Sequence, residues 1–192
     1  MKLVIDRSGR TETLYVEGAS QMDILPGSFR NFRGEKRKDK KGKVVNDEGK
    51  RNFNLALDLP TEALDDLAST GINIKELAPK DEEYGDQPLR FVKVNVAMDG
   101  KYPPNLYLVS GKNMKELTEN ELALLDASRF SNVDLVIRTY HRDESTTTLY
   151  LQKGYFTIEQ DPISAKYANL EMSDFDVKAP SSDDDDELPF AD

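Results

Sequence analysis

Leu89-Arg90-Phe91-Val92-Lys93-Val94-Asn95-Val96-Ala97-Met98 alternates between apolar and polar or bulky positions along most of its length. A period of two puts Val92, Val94, Val96 and Met98 on one face and Phe91, Lys93 and Asn95 on the other, as in a half-buried β-strand. The first face is uniformly apolar. The second mixes an aromatic, a cation and an amide, a composition suited to a ligand that offers both flat rings and negative charge.

Working outward, similar stretches recur on both sides. Residues 2–5 and 13–16 read as a short strand pair or an edge strand around Ser8-Gly9. Pro26-Gly27 predicts a turn or bulge, followed by a strand over 28–34 with Arg30 and Phe32 on one face and Phe29, Asn31 and Arg33 on the other. Residues 50–58 return as a strand that turns Phe53, Leu55 and Leu57 inward, with Arg51 flanking them. Residues 105–110 point Leu106 and Leu108 inward and Tyr107 outward. Over 133–142, Val133, Leu135 and Ile137 oppose Val136, Arg138, Tyr140 and Arg142, and the second set reads as a binding face. A final strand covers 147–159, with Leu149 and Leu151 in the core and a bulge expected at Gly154 that lets Tyr155 and Phe156 change face.

Short helices interrupt these strands. Thr61 is the expected N-cap of a helix burying Leu64, Leu67 and Ala68, and Gly71 ends it. Thr118-x-x-Glu121 is a capping-box pattern before Leu122, Leu124 and Leu125. Residues 163–170 are expected to be helical. The sum predicts a mainly β protein: an OB-fold, meaning a partly open antiparallel barrel of five or six strands, preferred over a sandwich. Regular β-α-β alternation is missing, which argues against parallel pairing.

The 192-residue chain carries a formal charge of −10, unevenly placed. Residues 29–54 hold ten Lys/Arg against four Asp/Glu, a net +6, whereas residues 171–192 hold nine acids against Lys178, a net −8. The tail's −8 leaves only −2 of the −10 for everything before it. The expected organisation is one domain over 1–170, with an exposed basic loop at 35–49, and a disordered acidic tail over 171–192. The absence of cysteine excludes disulfides, thiolate metal sites and catalytic thiols. His141 is the only histidine, so multi-histidine metal sites are excluded too. The N-terminus lacks a signal pattern and no apolar run approaches the ~20 residues of a membrane span, so a cytoplasmic protein without membrane contact is expected.

The tail ends Asp183-Asp184-Asp185-Asp186-Glu187-Leu188-Pro189-Phe190-Ala191-Asp192, an apolar hook behind a charge run. It resembles the acidic tip of bacterial and phage single-stranded DNA-binding proteins. Asn31-Phe32-Arg33-Gly34, Arg51-Asn52-Phe53, Gly71-Ile72-Asn73-Ile74-Lys75 and Asn132-Val133-Asp134-Leu135-Val136-Ile137-Arg138 are similar to blocks of a phage and prophage group of OB-fold members of that class. The resemblance implies that Phe32, Arg33 and Arg51 lie on or beside the nucleic-acid surface, with Arg138 near it. It also implies that Asp185, Asp186, Glu187, Leu188, Pro189 and Phe190 recruit replication or recombination proteins. In the bacterial tip the chain stops at phenylalanine, whereas Ala191 and Asp192 follow here.

Strand alternation adds Arg30, Phe91, Lys93, Tyr107, Tyr140 and Arg142 to the candidate surface, and the basic loop adds phosphate contacts from Lys36, Arg37 and Lys50. Core packing is the competing reading for each aromatic. The function expected is sequence-tolerant binding and protection of single-stranded DNA in phage replication or recombination, without catalysis or cofactor. RNA remains open as a ligand, and a homodimer is compatible with the sequence. Two alternatives stand beside this reading. One is a metal-dependent nuclease using Asp58, Asp99 and Asp134; the other is an acidic interaction protein that binds no DNA.

Overall fold

The computed structural model describes residues 1–9, 11–79, 88–141 and 146–159, all within the first of two units, Met1–Gln160. Arg142, the expected helix at 163–170 and the acidic tail lie outside the described residues.

β1 (Lys2–Asp6) and β2 (Thr13–Ala19) form the expected pair. A 3-10 turn at Gly27–Phe29 leads into β3 (Arg30–Asn31), and β4 (Arg37–Lys38) and β5 (Val44–Asn46) make a small separate hairpin. Then come β6 (Arg51–Ala56), α1 (Thr61–Ser69), β7 (Lys75–Leu77), β8 (Leu89–Val96), β9 (Asn105–Ser110) and β10 (Asn113–Glu116). A 3-10 turn at Glu119–Glu121 precedes α2 (Ala123–Ala127), and the long strands β11 (Phe130–His141) and β12 (Thr147–Ile158) close the order.

The main sheet runs β1-β2-β11-β12-β8-β6-β3, with β7 added to β8, β9 to β12, and β10 to β9. It is an open mixed sheet, mainly β with two short helices and consistent with an OB-like fold. The expectation of purely antiparallel strands needs correction, because β12 pairs in parallel with both β8 and β9. Its Leu149 and Tyr150 oppose Val94 and Asn95, and its residues 153–157 then follow residues 105–109. Between these two partners Gln152 has no counterpart on β11, since Val136 pairs with Lys153 and Ile137 with Leu151. The bulge therefore sits at Gln152 rather than Gly154, and it carries out the expected change of face: Leu149 and Leu151 before it, and Gly154 and Phe156 after it, are all buried. A Cβ on Gly154 would stand 2.8 Å from the Phe156 ring, so the missing side chain makes room for that ring.

Val92, Val94, Val96, Phe53, Leu55, Val133, Leu135 and Ile137 pack in one core with Leu64 and Leu67 of α1, Leu125 of α2 and Leu122 just before α2. Phe32 and Phe53 stack at 5.3 Å, and Phe156 meets both Phe32 (5.6 Å) and Phe130 (5.3 Å). Each such fully buried ring stabilises the fold by about 1.5 to 3 kcal/mol through burial alone.

Several local expectations fail for identifiable reasons. The stretch 28–34 is a strand only at Arg30 and Asn31, because the Asp126 carboxylate accepts the backbone N–H groups of Phe32 and Arg33, both at 2.8 Å, and ends the pairing. Pro60, not Thr61, caps α1, and Thr61 is its first residue. Ala68 and Leu124 are exposed. β10 escaped detection because all four of its residues are exposed and no alternation marks it. The capping box at Thr118 and Glu121 is present as expected.

Candidate nucleic-acid interface

Directly paired residues on neighbouring strands present their side chains to the same face. The register therefore lays a row across the outer face of the sheet: Asn52 of β6 opposes Asn95 of β8, Asn95 opposes Tyr150 of β12, and Tyr150 opposes Arg138 of β11. The adjoining pair, Tyr140 and Thr148, brings the Tyr140 ring edge-on to Tyr150 at 6.4 Å. Farther along, Tyr107 and Tyr155 stack at 5.0 Å. Tyr102, 81% exposed with Lys101 over its ring at 5.4 Å, joins Tyr140 and Tyr150 around a cavity of about 420 Å³. Tyr150 also borders two adjoining concavities, one toward Lys50 and Asn95 and one toward Arg138 and Gln152.

The aromatics divide by type. All six described phenylalanines are buried or packed on a buried cluster, and none of the six described tyrosines is buried. A tyrosine hydroxyl favours a wet boundary, so the ring stays where a base could reach it. This signal was available in the sequence, and it would have found Tyr150, Tyr102 and Tyr155, which strand alternation alone did not single out.

Of the residues expected on the surface, Tyr140 and Arg138 are there, and Arg138 has no ion pair among the described residues. Lys36 and Lys50 are exposed, Lys50 at 3.9 Å from Asp99. Lys93 is half-buried, and Tyr107 faces outward with one ring face taken by Tyr155. Arg33 is exposed but pairs with Glu35 at 3.0 Å.

Other candidates prove to be structural. Arg30 and Phe32 are fully buried and do not belong to any surface. Phe91 shares the outer side of β8, yet Leu25, Ala56 and Phe29 cover it, with Phe29 edge-on at 5.6 Å. Arg37 donates to the Ser28 carbonyl at 2.6 Å and to that of Arg30, tying the hairpin down. Arg51 pairs with Glu119 at 2.8 Å, although it still edges the concavity beside Lys50.

An asparagine network carries the basic hairpin. Asn31 exchanges hydrogen bonds with the backbone of Glu35, and Asn46 donates to the carbonyls of Glu35, Asp47 and Lys50. Asn52 donates to the Asn46 side chain at 2.7 Å, joining this base to the outer row. The lysines at 36, 38, 40, 41 and 43 therefore project from an anchored base, and none has an ion pair among the described residues.

Of the three carboxylates considered for a metal, Asp134 accepts from the Gly18 N–H and the Asn132 amide, both at 2.8 Å, and Asp99 lies near Lys50. Among the described residues no three His, Cys, Asp or Glu groups converge on one point.

Tyrosine rings, amides and the Arg138 guanidinium thus share one open face of the sheet, side-chain types that suit contact with unpaired bases and phosphates. Comparison of sequences then gives the family. Residues 7–190 match the family model described as "Putative phage ssDNA-binding domain", and the chain belongs to that family. No curated protein matches the chain. Among solved structures, the single-stranded DNA-binding protein from bacteriophage Enc34, in a C-terminally truncated form, is similar at 15% identity. The match covers 84% of this chain and 96% of that one, with a TM-score of 0.38.

Proposed function

We propose that the protein binds single-stranded DNA in a sequence-tolerant manner across the outer face of β6, β8, β12 and β11, with the basic hairpin as an additional phosphate contact. The row Asn52, Asn95, Tyr150 and Arg138 carries this reading, because it sets an accessible ring between amides and a cation that has no ion pair among the described residues. Bases of any identity stack on a tyrosine, while cations follow the backbone and make binding salt-dependent. Family membership supports single-stranded DNA as the ligand class. The role fits strand binding and protection in phage replication or recombination, in the cytoplasm of a host cell. The tip Asp185, Asp186, Glu187, Leu188, Pro189 and Phe190 would recruit proteins of the same process, since an acidic apolar peptide suits a basic-rimmed apolar pocket.

A fluorescence titration with labelled oligo-dT at several salt concentrations tests the reading. Binding is expected to weaken with salt and to exceed binding to duplex. Tyr150→Ala should cost about 1 to 3 kcal/mol, roughly 5- to 150-fold in affinity. No binding at low salt, or equal affinity for duplex, would overturn the proposal.

A further inference from the structure

Along one edge of β8, two strands share the pairing. β7 covers residues 89–91, and β12 takes over at Val94 and Asn95. The hand-over leaves a cavity of about 200 Å³ whose lining includes Asn73, Lys75, Lys93, Asn95 and Thr148. Liquid water occupies about 30 Å³ per molecule, so the space holds a small hydrated anion.

Two like charges point into this space. Lys75 is the pairing partner of Phe91, which places it diagonally from Lys93 on the same face. Like charges this close in a sheet are unfavourable unless something between them is negative. Nothing among the described residues supplies that charge. Glu76, the acid next to Lys75, turns to Arg90 at 2.7 Å, and neither lysine has an ion pair with another described residue. Burial, with Lys75 as the second cause, holds Lys93 below the ordinary lysine value.

The polar groups around the pair are held in place. Asn95 donates to the Leu149 carbonyl at 3.1 Å, which uses one of its two amide hydrogens. The Thr147 hydroxyl donates to the Thr70 carbonyl at 2.6 Å and lies 2.9 Å from His141 Nδ1, which anchors the strand that forms the far wall. Lys93 and Asn95 are two positions apart on β8, so the cavity adjoins the Asn52, Asn95, Tyr150 and Arg138 row at about 7 Å.

We propose that this junction is a phosphate subsite in which Lys75 and Lys93 together hold one backbone phosphodiester of a bound strand, fixing the strand's place beside Tyr150. The inference rests on the single-strand reading above and adds to it a defined anchor, with Lys75 as a binding residue. A fixed phosphate next to a stacking ring sets the register of the strand without reading any base.

The test compares the full chain with Lys75→Met, Lys93→Met and the double variant, using fluorescein-labelled oligo-dT with a 5′-hydroxyl from 50 mM to 1 M salt. Each single-strand phosphate neutralised contributes about 0.7 to the slope of log K against log salt. The double variant is expected to lose about 0.7 in slope, which corresponds to about eight-fold weaker binding at 50 mM relative to extrapolated 1 M behaviour. Two cations acting on separate phosphates would lose about 1.4 and overturn the shared site, as would an unchanged slope. Lys93→Arg should retain the wild-type slope, which separates loss of charge from loss of structure. A slope loss confined to 5′-phosphorylated oligonucleotide would assign the site to a strand end and overturn the internal phosphodiester. If the wild-type chain fails to bind oligo-dT at low salt, the single-strand reading itself falls; if it binds and the variants match it, only this inference does.

Discussion

The guanidinium carbon of Arg30 stands 4.8 Å from the centroid of the Phe130 ring, and both residues are buried. The same guanidinium donates to four carbonyls, those of Ile24 (2.7 Å), Leu25 (3.4 Å), Leu125 (3.2 Å) and Ser128 (3.0 Å). It thus ties the segment before β3 to the C-terminal end of α2, where carbonyls lack helical partners and a cation is favoured. Burial lowers its pKa and Asp126 opposes the shift.

Replacing this cation should therefore damage folding and spare binding. Arg30→Met leaves the four carbonyls without their donor and removes the positive charge near Asp126, and a loss of about 3 to 5 kcal/mol is expected in urea denaturation. Protein that remains folded should bind oligo-dT as wild type does. A stable variant with weakened DNA binding would contradict the structural role.

Gly154 tests the packing at the fork of the sheet. An added methyl group meets the Phe156 ring at 2.8 Å and Leu106 at 3.3 Å, so Gly154→Ala should cost about 1 to 3 kcal/mol through overpacking. The denaturation midpoint should fall with little change in slope against denaturant.

Glu121 predicts a pH dependence. Its hydrogen bond with Lys115, and then those with the Thr118 backbone and side chain, hold its pKa down from 4.5 to about 2. A depressed carboxylate adds stability above its unfolded value and loses it as the pH falls through the folded one. Glu121→Gln should thus be less stable than wild type at neutral pH, and the gap should close between about pH 4.5 and 2 in thermal melts. A gap that stays constant across that window would show that the ionised side chain contributes nothing.

The tail offers a fourth prediction. Residues 181–192 carry six acids and no cation. If the tail competes with DNA for the basic face, cutting the chain after Pro180 should tighten oligo-dT binding at low salt. The gain should fade as the screening length drops from ~10 Å at 0.1 M to ~3 Å at 1 M. Weaker binding after the cut would refute the competition.

Much of the fold was legible because burial on one face writes a period into the chain. The alternation in 89–98 and 133–142 placed Val92, Val94, Val96, Val133, Leu135 and Ile137 in the core, and the Thr118-x-x-Glu121 pattern marked a real capping box. The site was less legible. Alternation set Arg138 and Tyr140 on the outer side of β11, where they stand exposed, but Arg30 and Phe91 looked equally exposed by the same rule, and the resemblance put the buried Phe32 on the surface as well. The resemblance blocks at Asn31 and Arg51 turned out to hold the hairpin base and the turn at Glu119.

The mainly β class, the inward side of each long strand, the concentration of positive charge before residue 54 and the acidic end can all be read from the order of residues. Those are local properties, set by side-chain period and by composition. Which outward sides stay open follows from the packing of segments distant in sequence. Leu25 and Phe29 cover Phe91, and Asp126 captures the backbone after Asn31. The passage of β12 from β8 to β9 is equally long-range, and this change of partners brings Tyr150 beside Asn95 and leaves open the space that Lys75 and Lys93 share.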